Sequence, residues 1–184
     1  MSHIRIQIIQ KSTLKGNTWD GGETFEYCIY PSTSSYAARN FQWRISSATI
    51  VKSPSVFTQF PHYNRYLVML DNDLQIKRNG QLESYQPLTV FQFQSDDYIQ
   101  SYSLGQDYNL MVHSSIPSHA TFIVTSAESK EPFIVLFAPQ SSIVLIQHQE
   151  YSLSSLDLIL IQNPEHESIQ VKSDQTLIMS TLSL

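Results

Sequence analysis

Apolar and polar residues alternate with period two along almost the whole chain, and a helical period of about 3.6 residues is sustained nowhere. This feature excludes helical bundles and α/β folds and leaves an all-β chain, an antiparallel sandwich or barrel. Strand-like runs recur at residues 23–30, 41–50, 64–70, 88–93, 98–102, 107–113, 121–125, 133–137, 143–147, 156–162, 168–172 and 176–182, with turn signals between them. Residues 1–11 read as a first strand, because they alternate and lack the apolar core of a signal peptide. Asn79-Gly80, between two alternating runs, predicts a type I′ turn and a tight hairpin over 73–82. The one helical turn expected runs through Tyr36-Ala37-Ala38-Arg39.

Composition narrows the partners. With 184 residues, 41% of them hydrophobic, the chain can bury the core of one domain or of two small fused ones. A net charge of −5 offers no basic stripe to neutralise phosphates, so nucleic acid is not an expected partner. The single cysteine, Cys28, allows neither an internal disulfide nor a Cys-rich zinc site, and it reads as a buried, inert thiol. No apolar run approaches the roughly 20 residues of a spanning helix, so no membrane partner is expected and the expected location is cytoplasmic.

The chain repeats weakly. Tyr66-Leu67-Val68-Met69-Leu70 resembles Phe133-Ile134-Val135-Leu136-Phe137, the run from Pro87 resembles that from Ser155, and Asn109-Leu110-Met111 resembles the run ending at Met179. Three matches in one order at nearly one offset indicate two copies of a β unit. The halves are expected at 1–118, carrying the chemistry, and 119–184, structural, with the amino-terminal strands free to pair with the second. Arg65, Asp107 and Asn109 have Pro132, Gln175 and Thr176 at or near the equivalent places.

Arg44 and Arg65 stand on otherwise core-like strands. A buried guanidinium needs a carboxylate, a row of acceptors, water or an anionic ligand. Alternation puts Arg44, Ser46 and Ala48 on one face, and Asp107, Asn109 and Met111 on one face of theirs. Around a barrel mouth these residues, with Thr24 and the Trp19 ring, would form a site. The arginines would take a carboxylate, Asn109 and Thr24 a second polar group, and Trp19 would cover a planar part. The alternative is structural: Asp107 neutralises one arginine and the other reaches solvent. Glu26 suits either arrangement. No histidine has a partner pattern that would give it a role, and no Gly-x-Ser-x-Gly elbow, phosphate loop or dinucleotide fingerprint occurs.

Taken together, Trp19, Gly21-Gly22-Glu23-Thr24-Phe25-Glu26, Tyr30-Pro31, Trp43-Arg44-Ile45-Ser46-Ser47-Ala48, Phe57-Thr58-Gln59-Phe60-Pro61, Arg65 and Asp107-Tyr108-Asn109-Leu110-Met111 resemble the HutD/Ves family. The likeness covers the first two thirds of the chain. Many relatives have Trp-x-Asn-Gly-Gly-Gly where this chain has the shorter Trp19-Asp20-Gly21-Gly22. The resemblance implies a double-cupin fold, two stacked antiparallel jelly-roll barrels in one chain. It also implies a small-molecule-binding protein connected with histidine utilisation, without an established catalytic activity.

Set against the metal pattern of cupins, Arg65 falls where the ligand glutamate would stand, and Thr58 with Phe60, or Gln59 with Pro61, where the histidines would. No metal and no other cofactor are therefore expected. Three functions follow. The first, and favoured, is metal-free binding of a small carboxylate such as urocanate or formiminoglutamate, with a regulatory role. The second is a metal-independent isomerase or hydrolase using Asp107 or Glu26 as base, disfavoured because two neighbouring cations would depress the carboxylate pKa. The third is a structural or partner-binding β module. A homodimer is an open option, since two-barrel proteins often pair.

Overall fold

The computed structural model describes residues 4–183, so residues 1–3 of the expected first strand, and residue 184, lie outside the described residues. The chain opens with β1 (Arg5–Ile9), a short 3₁₀ turn (Lys11–Thr13), β2 (Gly16–Trp19), β3 (Gly22–Tyr30), β4 (Trp43–Ile50) and β5 (Ser55–Val56). It continues with β6 (Tyr63–Met69), β7 (Leu74–Arg78), β8 (Gln81–Tyr85), β9 (Phe91–Gln94), β10 (Ile99–Ser101) and β11 (Gly105–His113). The remaining strands are β12 (His119–Ser129), β13 (Phe133–Phe137), β14 (Ser142–Ile146), β15 (Gln149–Leu153), β16 (Leu158–Gln162) and β17 (Ile169–Leu182). The chain is all-β, as its alternation predicts.

It divides into two compact units, Leu14–Ser115 and Met1–Thr13 with Ile116–Leu184. In the first, a six-stranded sheet runs β2-β3-β4-β11-β6-β9 and a four-stranded sheet runs β5-β10-β7-β8. Ile50, Leu67, Met69, Leu74, Ile76, Phe91, Phe93 and Ile99, drawn from both sheets, pack together between them. Strand alternation places these side chains on one face, and their burial is the main favourable contribution to the unit's folding. In the second unit the order is β1-β16-β13-β17-β14-β15, with β12 also on β17. The amino-terminal strand thus belongs to this unit, with Arg5 opposite Gln162 and Ile9 opposite Leu158.

The two units share a strand plan. The series β4-β11-β6-β9 has its counterpart in β12-β17-β13-β16, and the hairpin β7-β8 in β14-β15. Leu88 and Leu156 both sit at positive φ (57° and 68°), and their N–H groups bond the carbonyls of Met69 and Ala138. This equates Met69 with Ala138, and therefore Leu67 with Leu136 and Arg65 with Ile134. Asn109 lies opposite Leu67 and Met179 opposite Leu136, so Met179 answers Asn109 and Leu177 answers Asp107. The equivalents inferred from sequence, Pro132, Gln175 and Thr176, fall two or three residues short of these, because the spacing between equivalent residues differs from strand to strand, as the pairs Met69 with Ala138 and Leu88 with Leu156 show. Ile134, Leu177 and Met179 all lie in an apolar core. The polar face belongs to the first unit.

Three local expectations change. Residues 36–39 form a turn closed by one bond from the Arg39 N–H to the Tyr36 carbonyl, too few to propagate a helix. Residues 168–172 and 176–182 are one continuous strand, β17. Strand β15 follows a turn at Gln147-His148, and its polar residues Gln149, Glu150 and Ser152 face water, which hid its alternation. The hairpin at Asn79-Gly80 stands as predicted, with φ of 49° and 92°. A Cβ on Gly80 would meet nothing within 4 Å. Gly80→Ala is therefore expected to cost only the backbone strain of an L residue there, about 1 kcal/mol, read as a shifted urea midpoint with unchanged slope.

Candidate functional site

Register sets the site. On the inner face of the six-stranded sheet, Arg44, Met111, Arg65 and Phe93 are successive cross-strand neighbours, Glu26, Ser46, Asn109 and Leu67 form the next rung, and Thr24, Ala48, Asp107 and Met69 the one after. The bulge between Glu26 and Cys28 keeps Glu26 on this face while the rest of β3 shifts register. The result is a cavity of about 410 Å³ within the unit Leu14–Ser115. All six residues singled out from sequence, Arg44, Arg65, Asp107, Asn109, Trp19 and Thr24, line it, as do Glu26, Tyr36 and Phe57.

The two arginines live differently. Arg44 is an ion-paired cation: its Nε donates to Glu26 Oε2 at 2.6 Å, its guanidinium donates to Ser46 Oγ at 3.0 Å, and it lies 4.5 Å from the centre of the Tyr36 ring. Arg65 is 8% exposed, and its Nε reaches Asn109 Oδ1 only at 3.5 Å. It stacks on Phe57 and Phe93, 5.3 and 5.1 Å from their centroids. Among the described residues no carboxylate forms an ion pair with it. Burial lowers its pKa to about 10, with Asp107 and Tyr36 opposing the shift at longer range. It remains charged at neutral pH, in an environment that stabilises the charge poorly.

Asp107 corrects two expectations. It neutralises neither arginine as an ion pair; Glu26 takes that role for Arg44, while one Asp107 oxygen accepts the Ala48 N–H at 2.8 Å. Its pKa is raised, to about 6, rather than depressed, because burial outweighs the Ala48 hydrogen bond and the more distant pull of Arg65 and Arg44. The argument against Asp107 as a base therefore loses its ground. Cys28 is half-buried rather than fully buried as expected, and its thiol is pushed up to about 12, chiefly by desolvation and then by Glu26, so it stays protonated at neutral pH.

At the rim, the Trp19 indole N–H donates to Thr24 Oγ1 at 3.1 Å. Its ring lies where a Cβ on Gly21 would stand, 1.9 Å from the nearest ring carbon, so the glycine makes room for the indole. Tyr36 and the two phenylalanines were not assigned a role from sequence. Phe57 stands in one of the stretches that carry the family resemblance, but nothing in a linear reading brings Tyr36, from a polar connector, onto Arg44. No histidine lines the cavity, and among the described residues no three His, Cys, Asp or Glu side chains converge as metal ligands. Two carboxylates accompanied by two guanidiniums are a poor donor set for a divalent ion.

Comparison with known proteins fits this geometry. The family model described as HutD matches residues 11–179. The chain belongs to the HutD family. A search of the curated proteins finds no match. Among solved structures, a conserved protein of unknown function from Pseudomonas aeruginosa superposes with a TM-score of 0.85 at 16% identity, covering 98% of this chain and 100% of that one. HutD from Pseudomonas fluorescens, in a formate condition, gives 0.82 at 17% identity, over 97% and 98%. A Cupin 2 conserved barrel domain protein from Leptotrichia buccalis gives 0.56 at 8% identity, over 100% of both chains. These likenesses establish a cupin-like fold for this HutD-family chain and nothing about its chemistry. Among the described residues no helix is long and apolar enough to cross a membrane.

Proposed function

We propose that this HutD-family chain is a double cupin that binds a small carboxylate without a metal, in the cytoplasm and in a regulatory role. Arg65 carries the proposal: a buried guanidinium that faces a cavity, flanked by two aromatic rings and lacking a carboxylate partner among the described residues. Keeping such a cation costs stability, and a carboxylate ligand docked on it recovers the lost interaction. Asn109 and Thr24 supply polar contacts, and Trp19 and Tyr36 supply surfaces for a planar group. Urocanate and formiminoglutamate are the ligands the family connection suggests. Isothermal titration is expected to give saturable binding for at least one, with a rise in melting temperature that grows with ligand concentration. No heat and no shift for either at about millimolar concentration would remove both as ligands.

A second reading has one specific observation in its favour. With its pKa near 6, Asp107 could serve as a general base at neutral pH, so a metal-independent isomerase or hydrolase fits the same cavity. Turnover of a bound carboxylate, abolished in Asp107→Asn with folding intact, would establish it.

A further inference from the structure

Asp107 is 5% exposed and lines the cavity, yet the one hydrogen bond it accepts leaves its second oxygen without a donor, and it forms no ion pair among the described residues. The charged and titratable groups around it are accounted for. Arg44, from β4, is held by Glu26 of β3; Arg65, from β6, leans on Asn109; Tyr36 lies over Arg44; and Asp71, beyond β6, adds negative charge that Asp107 does not welcome. Among the described residues no protein donor reaches the second Asp107 oxygen. Along β11, Asp107 stands one same-face step from Asn109, about 7 Å, and Asn109 is where the Arg65 side chain makes its contact. A ligand carboxylate on Arg65 thus places the rest of a short molecule against Asp107.

We infer, building on the carboxylate-binding reading above, that Asp107 sets the ligand class: the cavity takes molecules with a cationic nitrogen or N–H donor a few bonds from the carboxylate, and disfavours dicarboxylates of equal length that carry no such donor. A donor on the ligand satisfies the free Asp107 oxygen by a charge-assisted hydrogen bond. A second carboxylate there faces the Asp107 carboxylate, and binds only if a proton is taken up.

The test uses two probes of matched length, γ-aminobutyrate and glutarate, titrated into the full chain near neutral pH. The wild type is expected to prefer γ-aminobutyrate by roughly tenfold or more, the worth of one hydrogen bond to a charged group. Asp107→Asn, which keeps an oxygen for the Ala48 N–H, is expected to erase the preference, mainly by strengthening glutarate. Equal affinities, or a glutarate preference, in the wild type would overturn the inference while leaving carboxylate binding in place; that comparison needs no variant. Undiminished preference in a folded Asp107→Asn would overturn it as well. If neither probe binds at about millimolar concentration, the carboxylate site itself fails, and this inference with it.

Discussion

Arg65→Met is expected to abolish carboxylate binding and, at the same time, to make the unliganded protein more stable. Folding lowers the pKa of Arg65 from its ordinary value to about 10, chiefly through desolvation. A depressed pKa in a base means that the folded state disfavours the charged form, so the cost is fully present at neutral pH and is relieved only as pH rises through about 10. Methionine keeps an unbranched apolar chain between Phe57 and Phe93 and removes the charge. A gain of about 1–3 kcal/mol in urea unfolding is expected, in line with replacing buried charges by apolar groups. A variant less stable than the wild type would mean that the guanidinium is a structural element of the barrel, and would sink its reading as a ligand group. A more stable variant that still bound carboxylates would place the site elsewhere.

Asp107→Asn should change how stability responds to pH. The folded state holds the Asp107 proton up to about pH 6, whereas the unfolded chain releases it near 3.8. Between these values the folded state binds more protons, so stability declines as pH rises, and above about 6 the penalty is complete. Asparagine carries no charge to desolvate and preserves the acceptor for Ala48. The shift already contains the opposing attraction to Arg65 and Arg44, so about 3 kcal/mol of stabilisation near pH 7 and a flatter profile between about pH 4 and 6 are expected. Urea midpoints across that range measure it. A variant whose slope matched that of the wild type would show that the Asp107 carboxyl is better solvated than its burial indicates.

These two effects share a cause. The first unit keeps Arg65, Asn109 and Asp107 where the second places Ile134, Met179 and Leu177 in an apolar core. One strand plan thus supports both a filled interior and a cavity of about 410 Å³ with poorly compensated charges. Poorly compensated charge of this kind concentrates where a protein binds something.

Alternation and turn chemistry alone specify the all-β class, the hairpin at Asn79-Gly80, the repeated strand pattern, and which residues share a face with Arg44 and with Asp107 and Asn109, but not that these faces point inward. These are local properties: alternation follows from the pleat, and the turn from the positive φ that Asn and Gly tolerate. Which charge meets which was decided only by the tertiary structure. Glu26 reaches Arg44 because a bulge holds it on the inner face, Tyr36 covers that arginine from a loop, and Arg65 is left with aromatic neighbours and no carboxylate among the described residues. The direction of the Asp107 pKa was likewise beyond the sequence, since it depends on whether burial or the nearby cations dominate. Pairing and desolvation vary over a few ångströms in space, and a linear pattern carries no such distances.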